Sequence, residues 1–184
     1  MRTVVRSAAL IAFSVACGYA KLLLFPYLFF VELFLVAVFL SGALVGVGWG
    51  AWVGAIAQLL FSLGNPYGPP HPWVLAGQIV GATAVGALGG LAGGRLLARP
   101  GNESPRAGVR TIVLVLSAVL GTLLYDLLTN VAQGVAFGSI PATLALALLP
   151  SLQHLASNIA IFVILGNLAF PWLSRHPLVT RHAA

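Results

Sequence analysis

Between Val109 and Phe137 the sequence reads VRTIVLVLSAVLGTLLYDLLTNVAQGVAF and is apolar over most of its length. At a rise of about 1.5 Å per residue, about 20 helical residues cross a hydrocarbon core of roughly 30 Å. The run lacks the strict alternation of apolar and polar residues that is typical of a membrane barrel strand. We therefore predict a transmembrane helix here.

The composition of the whole chain agrees with this prediction. Of 184 residues, 60% are hydrophobic and only 7% are charged, and the mean hydropathy is +1.03. A soluble globular domain carries about 25% charged residues. The composition predicts an all-α integral membrane protein.

Proline and glycine clusters and charged residues divide the chain into six predicted spans within a single membrane domain, residues 1–184. The spans are approximately 4–24, 30–45, 48–63, 72–97, 109–137 and 143–172. The first span could instead be a signal peptide, but its apolar run is long for a signal peptide and leads to no clear cleavage site. The second and third spans are kept apart, because one helix from Glu32 to Leu63 would measure roughly 50 Å.

The distribution of positive charge predicts the orientation of the helices. If the N-terminus is cytoplasmic, eight of the nine basic residues lie on the inner side, and only Lys21 lies near the outer surface. The eight are Arg2, Arg6, Arg95, Arg99, Arg106, Arg110, Arg175 and Arg181. The net charge of +6 is then explained by topology and by anionic lipid of the bilayer, and it does not indicate nucleic-acid binding.

Polar residues inside the spans are costly in hydrocarbon and must face protein or water. Thr122, Asp126 and Asn130 recur every four residues of the fifth span, so they lie on one helical face. His154 and Asn158 are spaced in the same way in the sixth span. Counted from the predicted outer ends of their spans, Asp126 and His154 both lie about 15 to 18 Å deep.

We predict a binding pocket open to the outside at this level. Gln58 of the third span and Gln78 of the fourth are expected nearer its mouth, at about 8 to 9 Å depth, and the aromatic residues Trp52, Trp73, Tyr67 and Tyr125 are expected to form its walls. The loop 64–72, which contains Asn65, is predicted to act as a gate. Two alternatives stay open: Asp126 braces helices, with His154 as its partner, and the aromatic residues form an interfacial belt.

The first span carries Ala8, Ala12 and Ala16 at four-residue intervals. Such a stripe of small side chains lets another helix approach closely in a bilayer. The stripe is either a docking surface for a partner protein or a contact within the same bundle. Glycines at similar spacing in the second, third and fourth spans are predicted to serve internal packing.

Sequence motifs of catalysis are absent. The single lysine is followed by leucine, so no P-loop exists, and the histidines lack the spacing of metal ligands. We expect neither an enzyme nor a resident cofactor or metal.

The alanine stripe, the glycine-rich middle spans, YDLLTN at 125–130 and QHLASN at 153–158 together resemble the substrate-binding S component of energy-coupling factor (ECF) ABC transporters. The resemblance covers nearly the whole chain and rests on length, topology and the placing of these stretches. It implies a prokaryotic cell membrane protein that captures a vitamin or micronutrient from outside. It also implies docking through Ala8, Ala12 and Ala16 onto a membrane coupling subunit that is driven by two ATPase subunits.

Mapped onto this sequence, the implied substrate-binding residues are Gln58, Asn65, Tyr125, Asp126, Asn130, His154 and Asn158. A different class of function is a membrane scaffold of cell-wall morphogenesis, similar to MreD, which has a comparable size and number of spans. Such a scaffold would use the polar residues for assembly and would bind no small solute.

Overall fold

A computed structural model of the protein describes residues 2–24, 32–97 and 106–175, and these ranges contain helices and no strand. The helices are α1 (Arg2–Leu24), α2 (Leu33–Val45), α3 (Val47–Leu63), α4 (Pro72–Leu96), α5 (Ala107–Phe137) and α6 (Ile140–Arg175). The predicted all-helical class and the six helices are confirmed within these ranges. Among the residues used to predict orientation, Arg99 and Arg181 lie outside the described ranges, as does the predicted start of the second span at residue 30.

Four helices, α1, α4, α5 and α6, are long and apolar enough to cross a membrane. The other two are shorter, with 13 residues in α2 and 17 in α3. A single residue, Gly46, joins them, and its φ of +86° ends one helix and starts the next. This value lies in the region that glycine adopts without steric cost, which explains the sharp break that the sequence predicts here.

Short α2 lies at the centre of the bundle. Its residues from Phe34 to Phe39 are almost completely buried, and it packs against α1, α3, α4 and, to a smaller extent, α6. Phe39 contacts Phe162 and Phe170 of α6, with ring centroids 5.1 and 6.4 Å apart. A helix that is apolar on all sides is expected to be buried on all sides, and α2 follows that rule.

Glycines bring α4 into backbone contact with α2 and α3. A Cβ atom added at Gly86 would overlap the carbonyl oxygen of Gly50, and one added at Gly42 would overlap that of Gly86. On another side of α4, a Cβ at Gly81 would lie 2.8 Å from the ring of Tyr125 in α5. The predicted role of these glycines in internal packing is confirmed, and α4 is held between α2, α3 and α5.

The start of α6 is fixed by its own sequence. Gly138 has a φ of +85° and ends α5, and the Ser139 hydroxyl accepts a hydrogen bond from the Ala142 amide at 3.4 Å, as helix-capping serines do. The helix then continues through Pro150 and Pro171. The tight connection sets α6 beside α5, so that the polar faces of the two helices meet.

Candidate functional site

Asp126 of α5 and His154 of α6 form the centre of the polar region. The Nδ1 atom of His154 lies 2.8 Å from the Oδ1 atom of Asp126. Their contact confirms that the two residues lie at the same level of the bundle, as helical rise predicted. It also shows that the bracing contact between these residues, which the sequence left open, is made.

The pair continues into Asn158, which is fully buried one turn further along α6. The Nδ2 atom of Asn158 donates to Thr122 Oγ1 at 3.0 Å and faces Nε2 of His154 at 3.0 Å. Both ring nitrogens of His154 are therefore engaged, Nδ1 by the Asp126 carboxylate and Nε2 by the Asn158 amide. This arrangement holds the imidazole of His154 between the Asp126 carboxylate and the Asn158 amide.

A cavity of about 260 Å³ lies between α5, α6 and the start of α2. Three of the predicted substrate-binding residues, Asp126, Asn130 and His154, line it. Asn130 also donates from Nδ2 to Ser151 Oγ at 3.3 Å. The remaining lining residues are Glu32, Ala147, Pro150, Ser151 and Gln153.

Glu32 is a member of the site that sequence reasoning missed. It lies just before α2, and Lys21 interacts with it electrostatically. Its Oε1 also accepts a hydrogen bond from the Phe34 amide at 3.3 Å and caps α2. The composition could have indicated its role, since Glu32 and Asp126 are two of only three acidic residues in the chain.

Two other predicted residues, Gln58 and Tyr125, belong to a separate network between α3, α4 and α5. Gln58 donates to Ser62 Oγ at 2.8 Å, and Ser62 donates to Gln78 Oε1 at 3.0 Å. The Tyr125 hydroxyl donates to Gln58 Oε1 at 3.3 Å. None of these four residues lines the cavity beside Asp126, and Gln58 is almost completely buried.

Asn65 and the predicted gate do not line the cavity either. The Oδ1 atom of Asn65 accepts a hydrogen bond from the Tyr67 amide at 2.9 Å, which forms a local turn. Trp52, Trp73 and Tyr67 are exposed on the surface of the bundle. Their exposure agrees with the interfacial belt and leaves the cavity walls to polar residues and to Ala147 and Pro150.

Two acceptor atoms at the site have no hydrogen-bond partner within the described part of the chain. They are Oδ2 of Asp126 and Oδ1 of Asn158. Asp126 is only 9% exposed, and a buried carboxylate oxygen without a donor costs free energy. Both atoms are shielded from solvent, so this polar network is incompletely satisfied within the described residues.

The alanine stripe lies on the outer surface of α1. Ala8, Ala12 and Ala16 are exposed, while Ser14 faces the bundle, with its hydroxyl 3.4 Å from that of Ser41 in α2. Gly18 contacts the ring of Phe61 in α3. The contact of α1 within the bundle thus uses a different face, which leaves the stripe available to another molecule.

No group of three or more His, Cys, Asp or Glu side chains able to hold a metal ion is found in the described ranges. Comparisons with known proteins do not assign the chain to a family, because no family model, no curated protein and no solved structure matches it.

Proposed function

We propose that this protein is the substrate-binding S component of an ECF-type importer in a prokaryotic cell membrane. It captures a small water-soluble vitamin or related micronutrient from outside. A separate coupling subunit and two ATPase subunits supply the energy, so the chain itself is not an enzyme and holds no cofactor.

The observation that carries this proposal is the polar cavity beside Asp126. In a chain that is 60% hydrophobic, Asp126, Asn130 and His154 converge on one space of about 260 Å³. Bundles that serve only as scaffolds need polar contacts between helices, but they need no space lined by them. A concave site with a few convergent polar groups is the usual form of a small-molecule site.

The exposed alanine stripe supports the coupling part of the proposal. Ala8, Ala12 and Ala16 present a surface without bulky side chains on a helix long and apolar enough to span the bilayer. Small residues permit close helix–helix approach in lipid. The coupling subunit is the partner that would use this face.

The orientation follows from the charge distribution. Both termini and the connection between α4 and α5 carry arginine and face the cytoplasm. The cavity lies toward the other end, where α2 begins and where α5 gives way to α6. In this orientation the cavity faces the outside, from which solute arrives.

Two measurements on the same purified sample test the proposal. The tagged protein is co-expressed with the coupling subunit and two ATPases of the same cell, isolated in detergent and examined by native mass spectrometry. We expect a complex that contains all four subunits, and a bound small molecule on the isolated chain. A chain that recovers neither ATPases nor a solute would support the MreD-like scaffold instead.

A further inference from the structure

A groove of about 560 Å³ runs between α4 and α5 on the surface of the bundle. The small residues of its lining, Ala84, Ala87 and Gly121, are buried or half-buried. Leu91 and Leu120 of the same lining are 60% and 59% exposed. Every residue that lines the groove is an alanine, a leucine or a glycine, and none of them lines the polar cavity described above. The groove is therefore a separate, wholly apolar site on two helices that are long enough to span a bilayer.

An apolar groove alone does not select one lipid over another, because lipid tails are as apolar as leucine side chains. Selection depends on the charged groups near its ends. Arg95 is exposed and follows Leu91 by about one helical turn, so it continues the groove-lining face of α4. Arg106 is exposed directly before α5 and precedes Leu124 by about five turns, so it continues the corresponding face of α5.

Contacts between α4 and α5 place the two arginines near the same end of the groove. A Cβ atom added at Gly77 would lie 2.7 Å from the carbonyl oxygen of Leu128, and one added at Gly121 would lie 3.7 Å from Leu88. Residue numbers therefore rise along α4 as they fall along α5, and the helices run antiparallel. The end of α4 and the start of α5 lie on one side of the membrane.

The depth of the groove matches one leaflet of a bilayer. Ala84 is the middle residue of α4, which runs from Pro72 to Leu96. At about 1.5 Å per residue, Arg95 lies roughly 16 Å from Ala84, and Arg106 lies roughly 10 Å further toward the same side. One leaflet contains about 15 Å of hydrocarbon and a headgroup layer of about 5–7 Å. The two arginines therefore lie at the level of the lipid headgroups.

This end of the groove is far from the negative charge of the described residues. The carboxylates in the described ranges are those of Glu32 and Asp126, and both line the polar cavity. Asp126 lies about 30 Å along α5 from Arg106. Within these ranges no ion pair involves Arg95 or Arg106. Positive charge beside an apolar groove favours a molecule with an anionic head and an apolar tail.

We infer that the groove between α4 and α5 binds an acyl chain of an anionic phospholipid, whose phosphate is held by Arg95 and Arg106. The lipid comes from the leaflet at the arginine end, which is the cytoplasmic leaflet in the orientation proposed above. The acyl chain fills the groove, and the arginines supply the preference for an anionic headgroup. Each arginine near the membrane surface strengthens binding of anionic lipid by roughly fivefold.

Competition between two phospholipids with identical acyl chains tests the inference. The purified full-length protein in detergent is mixed with equal amounts of dioleoylphosphatidylglycerol, which is anionic, and dioleoylphosphatidylcholine, which is zwitterionic. Native mass spectrometry measures the fraction of protein that carries each lipid. In a separate sample glycerol 3-phosphate is added as an anionic headgroup without acyl chains.

We expect the first bound lipid to be the anionic one about tenfold more often than the zwitterionic one. The double variant Arg95→Gln/Arg106→Gln should reduce this preference to about twofold or less. The control Arg175→Gln/Arg181→Gln removes the same charge from the C-terminal end of the chain, where Arg181 lies outside the described residues. The control should keep the preference, and glycerol 3-phosphate should not displace the lipid.

Three further variants test the groove itself. Ala87→Phe fills it from the half-buried side, and Leu120→Trp fills it from an exposed position. Each should weaken binding of both lipids by about fivefold or more. Leu168→Phe is the control, since Leu168 is exposed on α6 and does not line the groove, and its binding should be unchanged.

Equal binding of the two lipids to the wild-type protein would overturn the inference. So would loss of the preference in the C-terminal control as large as that in Arg95→Gln/Arg106→Gln, displacement of the lipid by glycerol 3-phosphate, or wild-type binding in both Ala87→Phe and Leu120→Trp. If Ala87→Phe fails to fold, Leu120→Trp and the exposed arginine variants decide the matter. Solute capture uses the other cavity, so a negative result leaves the proposed function standing.

Discussion

The carboxylate of Asp126 and the imidazole of His154 join α5 to α6 across 2.8 Å, and both side chains line the cavity. The bracing contact between the helices therefore leaves both residues at the cavity. One carboxylate oxygen holds the neighbouring helix, and the other has no hydrogen-bond partner among the described residues. The helix contact fixes the orientation of the Asp126 carboxylate.

Substitutions at Asp126 separate the two roles. Asp126→Ala leaves the part-buried Nδ1 atom of His154 without its partner, so we expect the free energy of unfolding to fall by about 1–3 kcal/mol. Asp126→Asn keeps a hydrogen-bonding partner there and removes the charge, so a smaller loss is expected. Unfolding of both ligand-free variants in detergent measures this difference, and equal losses would mean that the hydrogen bond to His154 contributes little.

The network around Gln58 is expected to affect stability rather than binding. Gln58→Leu deprives Ser62 and Tyr125 of a buried partner, which should cost about 1–2 kcal/mol. Because Gln58 does not line the cavity, solute affinity should change by less than about threefold. A tenfold change in affinity would correspond to about 1.4 kcal/mol of binding free energy.

Tyr125→Phe is the milder companion of that variant. It removes only the hydroxyl that donates to Gln58 at 3.3 Å, and a loss of about 0.6 kcal/mol is typical of such contacts between membrane helices. Unfolding and calorimetric titration are measured on the same preparations. A large loss of affinity in either variant would place this network in the binding site after all.

Much of the fold was predictable because apolar runs and their interruptions are local features. The bounds of α3, α4 and α5 lie within two residues of prediction, and Gly46 separates α2 from α3 as expected. The burial of α2 on all sides was not predicted, because it depends on how four other helices pack around it. Helix length alone does not reveal that arrangement.

The candidate site was predictable in part for the same reason. The spacing of polar residues along α5 and the depth counted along α6 correctly predicted that Asp126 lies beside His154. Depth does not give the position of a residue around the bundle, so Gln58 and Tyr125 were assigned to the same pocket although they face α4. Glu32 was missed because its place beside Asp126 depends on where the start of α2 lies relative to α5 and α6, which spacing along one helix does not reveal.

Close packing of α4 can be tested at one of its glycines. A methyl group at Gly86 would overlap the Gly50 carbonyl, so Gly86→Ala should destabilise the protein by about 1–3 kcal/mol. Gly48→Ala is the matched control, because a Cβ there meets no atom within 4 Å. The control should be neutral or stabilising by up to about 1 kcal/mol. If both variants unfold alike, the helices are not in the contact described.

The exposed stripe of α1 leads to a prediction about assembly. Ala12→Trp places a bulky group at an exposed position of α1, so folding and solute binding should be unchanged. Overpacking at the proposed interface costs about 1–3 kcal/mol, so recovery of the ATPase subunits in a pull-down should fall by about tenfold.

Leu116→Trp provides the control for this experiment, since Leu116 is exposed on α5, away from the stripe. It adds a bulky aromatic side chain to the outer surface of the protein without touching α1, and it should assemble normally. Normal recovery of the ATPases with Ala12→Trp would show that the stripe is not the docking surface. Equal loss in both variants would show that any bulky surface group disturbs assembly, and the stripe would then have no special part in it.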